Sequence, residues 1–163
     1  MIRELINCYP EIHNYSTIWM ENITHVTRQG TKEFGLANTN KLLKMAVDFQ
    51  VTGLKTGSTS RAKYCLSATA QKDGVRLIAV IMAAPDYKAR FSDARNLLSF
   101  GYATCRLYED KEKMPLPQMS VAGGVKDLVP LQAEGTFSWL SPEGEDLGKT
   151  EKKLELAEKL EAP

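Results

Sequence analysis

Tyr64-Cys65-Leu66-Ser67-Ala68-Thr69-Ala70, a break at Lys72-Asp73-Gly74, and Val75-Arg76-Leu77-Ile78-Ala79-Val80-Ile81-Met82-Ala83-Ala84 form the stretch on which the fold turns. The first segment alternates large or apolar residues with small polar ones. Successive side chains leave a strand on opposite sides, so this pattern predicts a strand with two unlike faces. Asp73-Gly74 accepts the positive φ angles of a tight hairpin turn. After Arg76 the second segment is apolar on both faces, which predicts a central strand with material packed above and below it. Pro85 and Asp86 end it.

Downstream, Tyr87 to Cys105 changes to a helical period. Tyr87, Phe91, Ala94, Leu98, Gly101 and Cys105 fall on one stripe, with Lys88, Arg95 and Asn96 off it. A hairpin followed by an amphipathic helix that covers it predicts an α+β fold, an antiparallel sheet covered by helix. The charged run Glu109-Asp110-Lys111-Glu112-Lys113, followed by Pro115 and Pro117, reads as a linker. The expected division is therefore 1–107 and 108–163. Beyond the linker, Val125 to Leu131 and Gly135 to Leu140 read as short strands. Thr150 to Leu160 suits a helix by Leu154, Ala157 and Leu160, and a strand by Lys153-Leu154-Glu155-Leu156; periodicity does not decide.

Upstream, Ile2 to Asn7 reads as helix, with Ile2, Leu5 and Ile6 on one face and Pro10 closing it. Tyr15 to Ile23 reads as irregular or strand-like. The N-terminus has charges of both signs and no secretory leader pattern. No stretch approaches the roughly 20 apolar residues of a membrane-spanning helix. Opening directly on a partly apolar helix suggests a piece of something longer.

Composition narrows the function classes. The chain of 163 residues is 43% apolar, enough for a sizeable core and incompatible with disorder. Lys and Arg total 21 against 20 Asp and Glu, a net charge of +1, which gives no pull toward nucleic acid or anionic lipid. Cys8, Cys65 and Cys105 are not in C-x-x-C spacing and form no ligand set with His13 and His25, so no metal or other cofactor is expected. Small buried or half-buried thiols are the expected role of these cysteines.

Lys55-Thr56-Gly57 follows the short apolar lead Val51 to Leu54. A site that recognises a free carboxylate and stabilises an oxyanion needs a fixed positive charge, a hydroxyl donor and accessible backbone. Lys supplies the first, Thr the second, and Gly removes a side chain where a ligand's backbone approaches. The phosphate-binding P-loop is excluded on order, because Gly53-Leu54-Lys55-Thr56 lacks the G-x-x-x-x-G-K spacing.

The neighbourhood of this triplet carries a wider resemblance. Asn38-Thr39-Asn40-Lys41-Leu42-Leu43, Gly53 to Thr59, Tyr64 to Ala70 and Gly74 to Val80 follow one another in the order and spacing of one family. The chain closely resembles the low-molecular-mass penicillin-binding proteins, the D-alanyl-D-alanine carboxypeptidases of peptidase family S11. The match continues through Ala84-Pro85, Arg90, Asp93 and Leu97-Leu98 to Gly101-Tyr102, covering most of residues 1–107. Val125-Lys126-Asp127 and Val129-Pro130-Leu131 resemble, more weakly, the start of the β-rich C-terminal domain that many members carry.

The resemblance implies a partial transpeptidase-like domain and a serine enzyme that trims the terminal D-Ala from peptidoglycan stem peptides through an acyl-enzyme. It implies catalytic roles for Lys55, beside the serine's relay, and for Ser58, whose backbone N–H is half of the oxyanion hole. It implies substrate-binding roles for Thr56, Gly57, Thr59 and Arg90. Thr59 could instead merely support strand pairing, and Arg90 could be a solvated helix charge. Asn38 and Asn40 read as turn residues closing a loop; many members have arginine where Thr39 stands. Stem peptide and β-lactams are the implied partners of the complete enzyme, with the missing N-terminal half of the protein. An extracytoplasmic, membrane-associated location in the cell envelope is implied as well.

The departure from the family lies upstream. The nucleophile's S-x-x-K and the S-x-N should precede K-T-G by a long stretch, yet only 54 residues precede Lys55 and no S-x-N occurs. Ser60-Arg61-Ala62-Lys63 spells S-x-x-K. On an extended segment it would put Ser60 and Lys63 on opposite faces, out of reach of each other. The chain alone is therefore expected to be inactive. Two other readings remain: a non-catalytic β-rich module that binds cell-wall peptide or protein, and, less well supported, a piece of a class A β-lactamase. The β-lactamases usually have glycine where Thr59 stands.

Overall fold

The computed structural model describes residues 1–110, 115–146, 148, 151, 153–157 and the backbone of 160–161. Its two compact units are Met1–Thr104 and Cys105–Pro163.

The first unit opens with α1 (Ile2–Cys8) and α2 (Ile12–Ser16). Of the stripe expected on α1, Ile6 alone is buried. An antiparallel hairpin follows, β1 (Met20–Thr27) against β2 (Gly30–Ala37), exposed along its whole length. Tyr15 to Ile23 thus divides into the end of a helix and the start of a strand.

A three-stranded antiparallel sheet comes next: β3 (Gln50–Thr59), β4 (Lys63–Lys72) and β5 (Val75–Ala84), in the order β3-β4-β5. Asp73 (φ 47°) and Gly74 (φ 78°) close the second hairpin with the left-handed angles that the sequence called for. The centre of the sheet is β4, and β5 lies at its edge, correcting the central position expected for β5. Ala79, with Leu77 and Ile81, packs into the core. Val80 and Met82 on the opposite face are 50% and 75% exposed. A run apolar on both faces reports the composition of each face, not what covers it.

Helix α3 (Ala89–Thr104) lies over the sheet and buries Phe91, Ala94 and Leu98 against Leu66, Ala68 and Ala79, with Leu42 and Phe49 completing the cluster. It starts two residues later than Tyr87 because the Asp86 carboxylate accepts hydrogen bonds from Lys88 N (2.7 Å) and Ala89 N (2.9 Å). Those two bonds hold the Asp86 carboxyl below its ordinary value of 3.8.

The second unit begins with β6 (Arg106–Glu109), which pairs with β9 (Ser138–Ser141). The chain divides into its two compact units just after Thr104. Between β6 and β9 lie β7 (Gln118–Ala122), which the sequence reading missed, and β8 (Leu128–Pro130), a shorter strand than Val125 to Leu131. The two residues of β10 (Leu160–Glu161) run parallel to β7. Within the expected linker, 111–114 lie outside the described residues, as do 150, 152, 158 and 159 of the undecided Thr150–Leu160 segment. Residues 153–157 are irregular. No helix among the described residues is long and apolar enough to cross a membrane.

Candidate functional site

The Lys55-Thr56-Gly57 triplet lies on β3, an edge strand whose partner on the inner side is β4. Directly paired residues of antiparallel strands project to the same face. Thr56 pairs with Leu66 and so shares the helix-covered face, while Lys55 pairs with Ser67 and Ser67 with Val80, on the face away from α3. Lys55 is exposed, and its Nζ donates to the Thr56 carbonyl at 2.9 Å, folding the ammonium back along its own strand.

Thr56 is half-buried, and its Oγ1 lies 2.6 Å from Thr39 Oγ1. Thr39 is brought there by its neighbours. Asn38 Nδ2 donates to the carbonyls of Ser16 (3.1 Å) and Ile18 (3.0 Å), while its Oδ1 accepts from Asn40 N (2.9 Å). Asn40 is fully buried and caps the short 3-10 turn Lys41–Lys44 by accepting from Leu42 N. The two asparagines therefore do close a loop, and the loop carries a hydroxyl to Thr56.

Gly57 is exposed, and a Cβ built on it would meet nothing within 4 Å. Its φ is not among the positive ones. Nothing inside the fold requires glycine there. Ser58 pairs with Tyr64 and is exposed. Thr59 pairs with Lys63 as the last residue of β3, and its Oγ1 accepts from Ala62 N at 2.9 Å. That hydroxyl closes the hairpin turn.

Ser60, Arg61 and Ala62 form this turn, and Lys63 follows with φ 53°. The extended segment assumed for Ser60 to Lys63 is thus corrected to a tight reversal, imposed because Thr59 and Lys63 must face each other across the ladder. Ser58, Thr59, Ser60, Lys63 and Tyr64 line an open cleft of about 490 Å³.

Arg90 is the residue whose surroundings were least legible. It is 8% exposed, although it sits on the first turn of α3. Its Nη1 donates to the Gly57 carbonyl (3.4 Å), and its guanidinium lies 5.5 Å from the Tyr64 ring centre and 4.7 Å from that of Phe91. Its Nε has no partner, and no carboxylate pairs with it among the described residues. The solvated-charge reading is thereby corrected. Two aromatic faces stabilise a cation here, and the signal available in sequence was Tyr64, placed by pairing opposite Ser58.

Of the six predicted residues, five lie consecutively on β3, and Arg90 reaches them from the helix. No group of three or more metal-binding side chains occurs among the described residues. The cysteines are free, Cys65 and Cys105 half-buried as expected and Cys8 exposed, which corrects that expectation for Cys8.

Comparison with known proteins gives a consistent answer. The chain is 32% identical to the D-alanyl-D-alanine carboxypeptidase DacF of Bacillus subtilis, over all of this chain and 41% of that protein. It is 35% identical to the D-alanyl-D-alanine carboxypeptidase DacA of Haemophilus influenzae, over 78% of this chain and 33% of that one. Among solved structures, penicillin binding protein 5 from Haemophilus influenzae superposes with a TM-score of 0.63 at 28% identity, covering 98% of this chain and 44% of that one. The chain therefore spans less than half the length of these relatives. The family model for D-alanyl-D-alanine carboxypeptidase matches residues 1–86, more than half of the sequence, and on that match the chain belongs to the D-alanyl-D-alanine carboxypeptidase family.

Proposed function

We propose that this chain supplies the Lys-Thr-Gly wall of a serine D-alanyl-D-alanine carboxypeptidase of the cell envelope, and that it has no activity by itself. In this reading residues 1–107 are the C-terminal part of the transpeptidase-like domain, and 108–163 a linker and the start of a β-rich domain. Lys55 places positive charge beside the serine and its relay. Thr56 and Arg90 receive the free carboxylate of the terminal D-Ala, Gly57 leaves room for it, and the Ser58 N–H polarises the scissile carbonyl. Thr59 holds the turn that aims Ser58. The acyl-enzyme forms on a serine of an S-x-x-K that this sequence does not offer on a helix, and β-lactams acylate the same serine.

The observation that carries the proposal is Arg90. A buried guanidinium held by two aromatic faces, with no carboxylate partner among the described residues and an unpartnered Nε, keeps its charge and a donor available to an anion. It is hydrogen-bonded to the carbonyl of the triplet's own glycine. Gly57 adds support. An alanine there should leave stability unchanged or raise it by up to about 1 kcal/mol, because glycine costs conformational entropy in a strand and the new Cβ meets nothing. It should nevertheless weaken binding of peptides ending in D-Ala-D-Ala. Urea midpoints and peptide titrations on the same samples check both halves; unchanged peptide binding counts against a ligand approaching over Gly57.

Intact-mass measurement with a labelled penicillin tests the proposal directly. The chain alone should gain no covalent adduct. Mixed with a chain carrying S-x-x-K and S-x-N, it should release D-alanine from a D-Ala-D-Ala peptide. An adduct at Ser60 on the chain alone overturns the assignment, and failure of the mixture to release D-alanine counts against it. The non-catalytic reading, a module binding cell-wall peptide, predicts peptide binding without release in either sample.

A further inference from the structure

The assignments above leave the Thr39 side chain without a task, although it stands against the site. Its Oγ1 lies 2.6 Å from Thr56 Oγ1, toward the short end of the range for a hydroxyl–hydroxyl hydrogen bond. The loop that carries Thr39 is fixed without this contact. Asn38 donates to the carbonyls of Ser16 and Ile18, and its Oδ1 accepts from Asn40 N. Asn40 Oδ1 accepts from Leu42 N, and the Thr39 carbonyl accepts from Lys41 N at 3.1 Å. Thr39 itself is exposed. Water could serve its hydroxyl there, so the bond to Thr56 adds little to stability.

Another pair of threonines on the same sheet shows the contrast. Thr52 Oγ1 donates to Thr69 Oγ1 at 2.8 Å, and Thr69 is 2% exposed. That bond satisfies a hydroxyl that water cannot reach, which is a structural task. The Thr39–Thr56 bond lies in the open, on the residue assigned to the ligand's carboxylate. The chemistry of the pair then fixes its direction. A threonine hydroxyl has one proton and two lone pairs, whereas a carboxylate offers acceptors only. Thr56 can serve a carboxylate only by donating its single proton to it. Its Oγ1 then meets Thr39 Oγ1 as an acceptor, and the bond between them needs the Thr39 proton. Either hydroxyl can donate in the free protein; one arrangement alone is compatible with a bound anion.

Resting on the assignment of Thr56 to the terminal carboxylate, we infer that Thr39 is a positioning residue for that contact, its hydroxyl donating to Thr56 Oγ1 and so turning the Thr56 proton toward the anion. Donation to Thr56 also polarises its O–H and strengthens the bond that it makes in turn. Thr39 touches no substrate in this arrangement and acts through Thr56. Arg90 contributes its charge separately, from the first turn of α3. The opposite arrangement, Thr56 donating to Thr39, would hold the proton away from the ligand. The two arrangements therefore have opposite consequences for a variant that lacks the Thr39 hydroxyl.

The test uses the whole chain and two ligands, N-acetyl-L-Ala-D-Ala-D-Ala and the same peptide with a C-terminal amide, titrated by amide-resolved NMR. The ratio of their affinities reads the contact with the carboxylate. Thr39→Val, which keeps the shape and removes the hydroxyl, should lower that ratio about threefold to tenfold. Its Tm should move by no more than about 2–4 °C, as for an exposed substitution. Thr39→Ser keeps a hydroxyl and should keep the ratio. Thr56→Val should lower the ratio as well, and adding Thr39→Val to it should cause no further fall, because Thr39 then has nothing to act through. An unchanged or raised ratio in Thr39→Val, with shifts still present at Gly57 to Thr59, overturns the role of Thr39 and leaves the site reading intact. A lowered ratio in Thr39→Ser, or a further fall in the double variant, has the same meaning. Absence of shifts at Gly57 to Thr59 with both peptides, in the unaltered chain, overturns both.

Discussion

Gly53→Ala is expected to destabilise the first unit by about 2–5 kcal/mol, the sum of a left-handed backbone penalty of about 1–2 kcal/mol and an overpacking cost of about 1–3 kcal/mol. Gly53 has φ 122°, at an irregularity in the β3–β4 register between Val51 and Gly53. A Cβ there would collide with the Ser16 hydroxyl and lie 2.6 Å from the Ser16 Cβ. Ser16 cannot easily give way. Its Oγ donates to the Thr52 carbonyl (2.9 Å), and the same carbonyl accepts from His13 Nδ1 (2.7 Å). Its own carbonyl accepts from Asn38. The collision should therefore pry α2 from β3 and, through Asn38, shift the loop that carries Thr39. Urea unfolding measures the loss. The double variant Gly53→Ala, Ser16→Gly should recover the steric share and retain the backbone share; no recovery would show that the collision is not the cause.

Leu66→Ala should cost about 3–4 kcal/mol, within the range for a leucine removed from a close-packed core. Leu66 is 1% exposed at the centre of the central strand and belongs to the cluster formed with Phe91, Leu98 and Leu42. Against a typical total of about 5–15 kcal/mol for a domain, that is a large fraction. Val80→Ala is the control. Val80 is 50% exposed on the other face and should cost under about 0.5 kcal/mol. Equal losses for the two would mean that the sheet is covered on both sides. Leu66 also stands directly opposite Thr56, so its loss should reach the site through the strand pair.

Parts of this architecture could be read from the residues because local chemistry and tertiary context agreed. Asp73-Gly74 demanded left-handed angles and took them; of the stripe Tyr87, Phe91, Ala94, Leu98, Gly101 and Cys105, the middle three are buried, Gly101 and Cys105 are half-buried, and Tyr87 precedes the helix and is exposed. Gly53 to Thr59 was expected as an exposed ribbon at the margin of a sheet; it lies on an edge strand, with Lys55 and Gly57 to Thr59 exposed, Thr56 half-buried, and Gly53 and Leu54 buried against that expectation. Other parts depended on what was absent from the pattern. The β1–β2 hairpin buries nothing, so its residues carry no contrast between two faces and it passed unseen. The apolar run of β5 could not reveal that one of its faces is open. Ser60 to Lys63 hid a reversal, because the Thr59 hydroxyl that closes it looks like any strand threonine. Arg90 had two open readings, a substrate-binding residue and a solvated helix charge, and its burial removes the second. Helical arginines are mostly solvated, and its burial follows from two rings that meet it only after folding.

The sheet order β3-β4-β5, with α3 returning onto it, joins elements that are neighbours along the chain. Such a layout has low contact order, and low contact order goes with rapid folding because each pairing closes a short loop. A polypeptide emerging from synthesis can set this ribbon, its turn and its covering helix in place as one early cooperative piece. The exposed β3 ribbon and Arg90 above it would then be arranged before longer-range pairings such as that of β6 with β9 are complete.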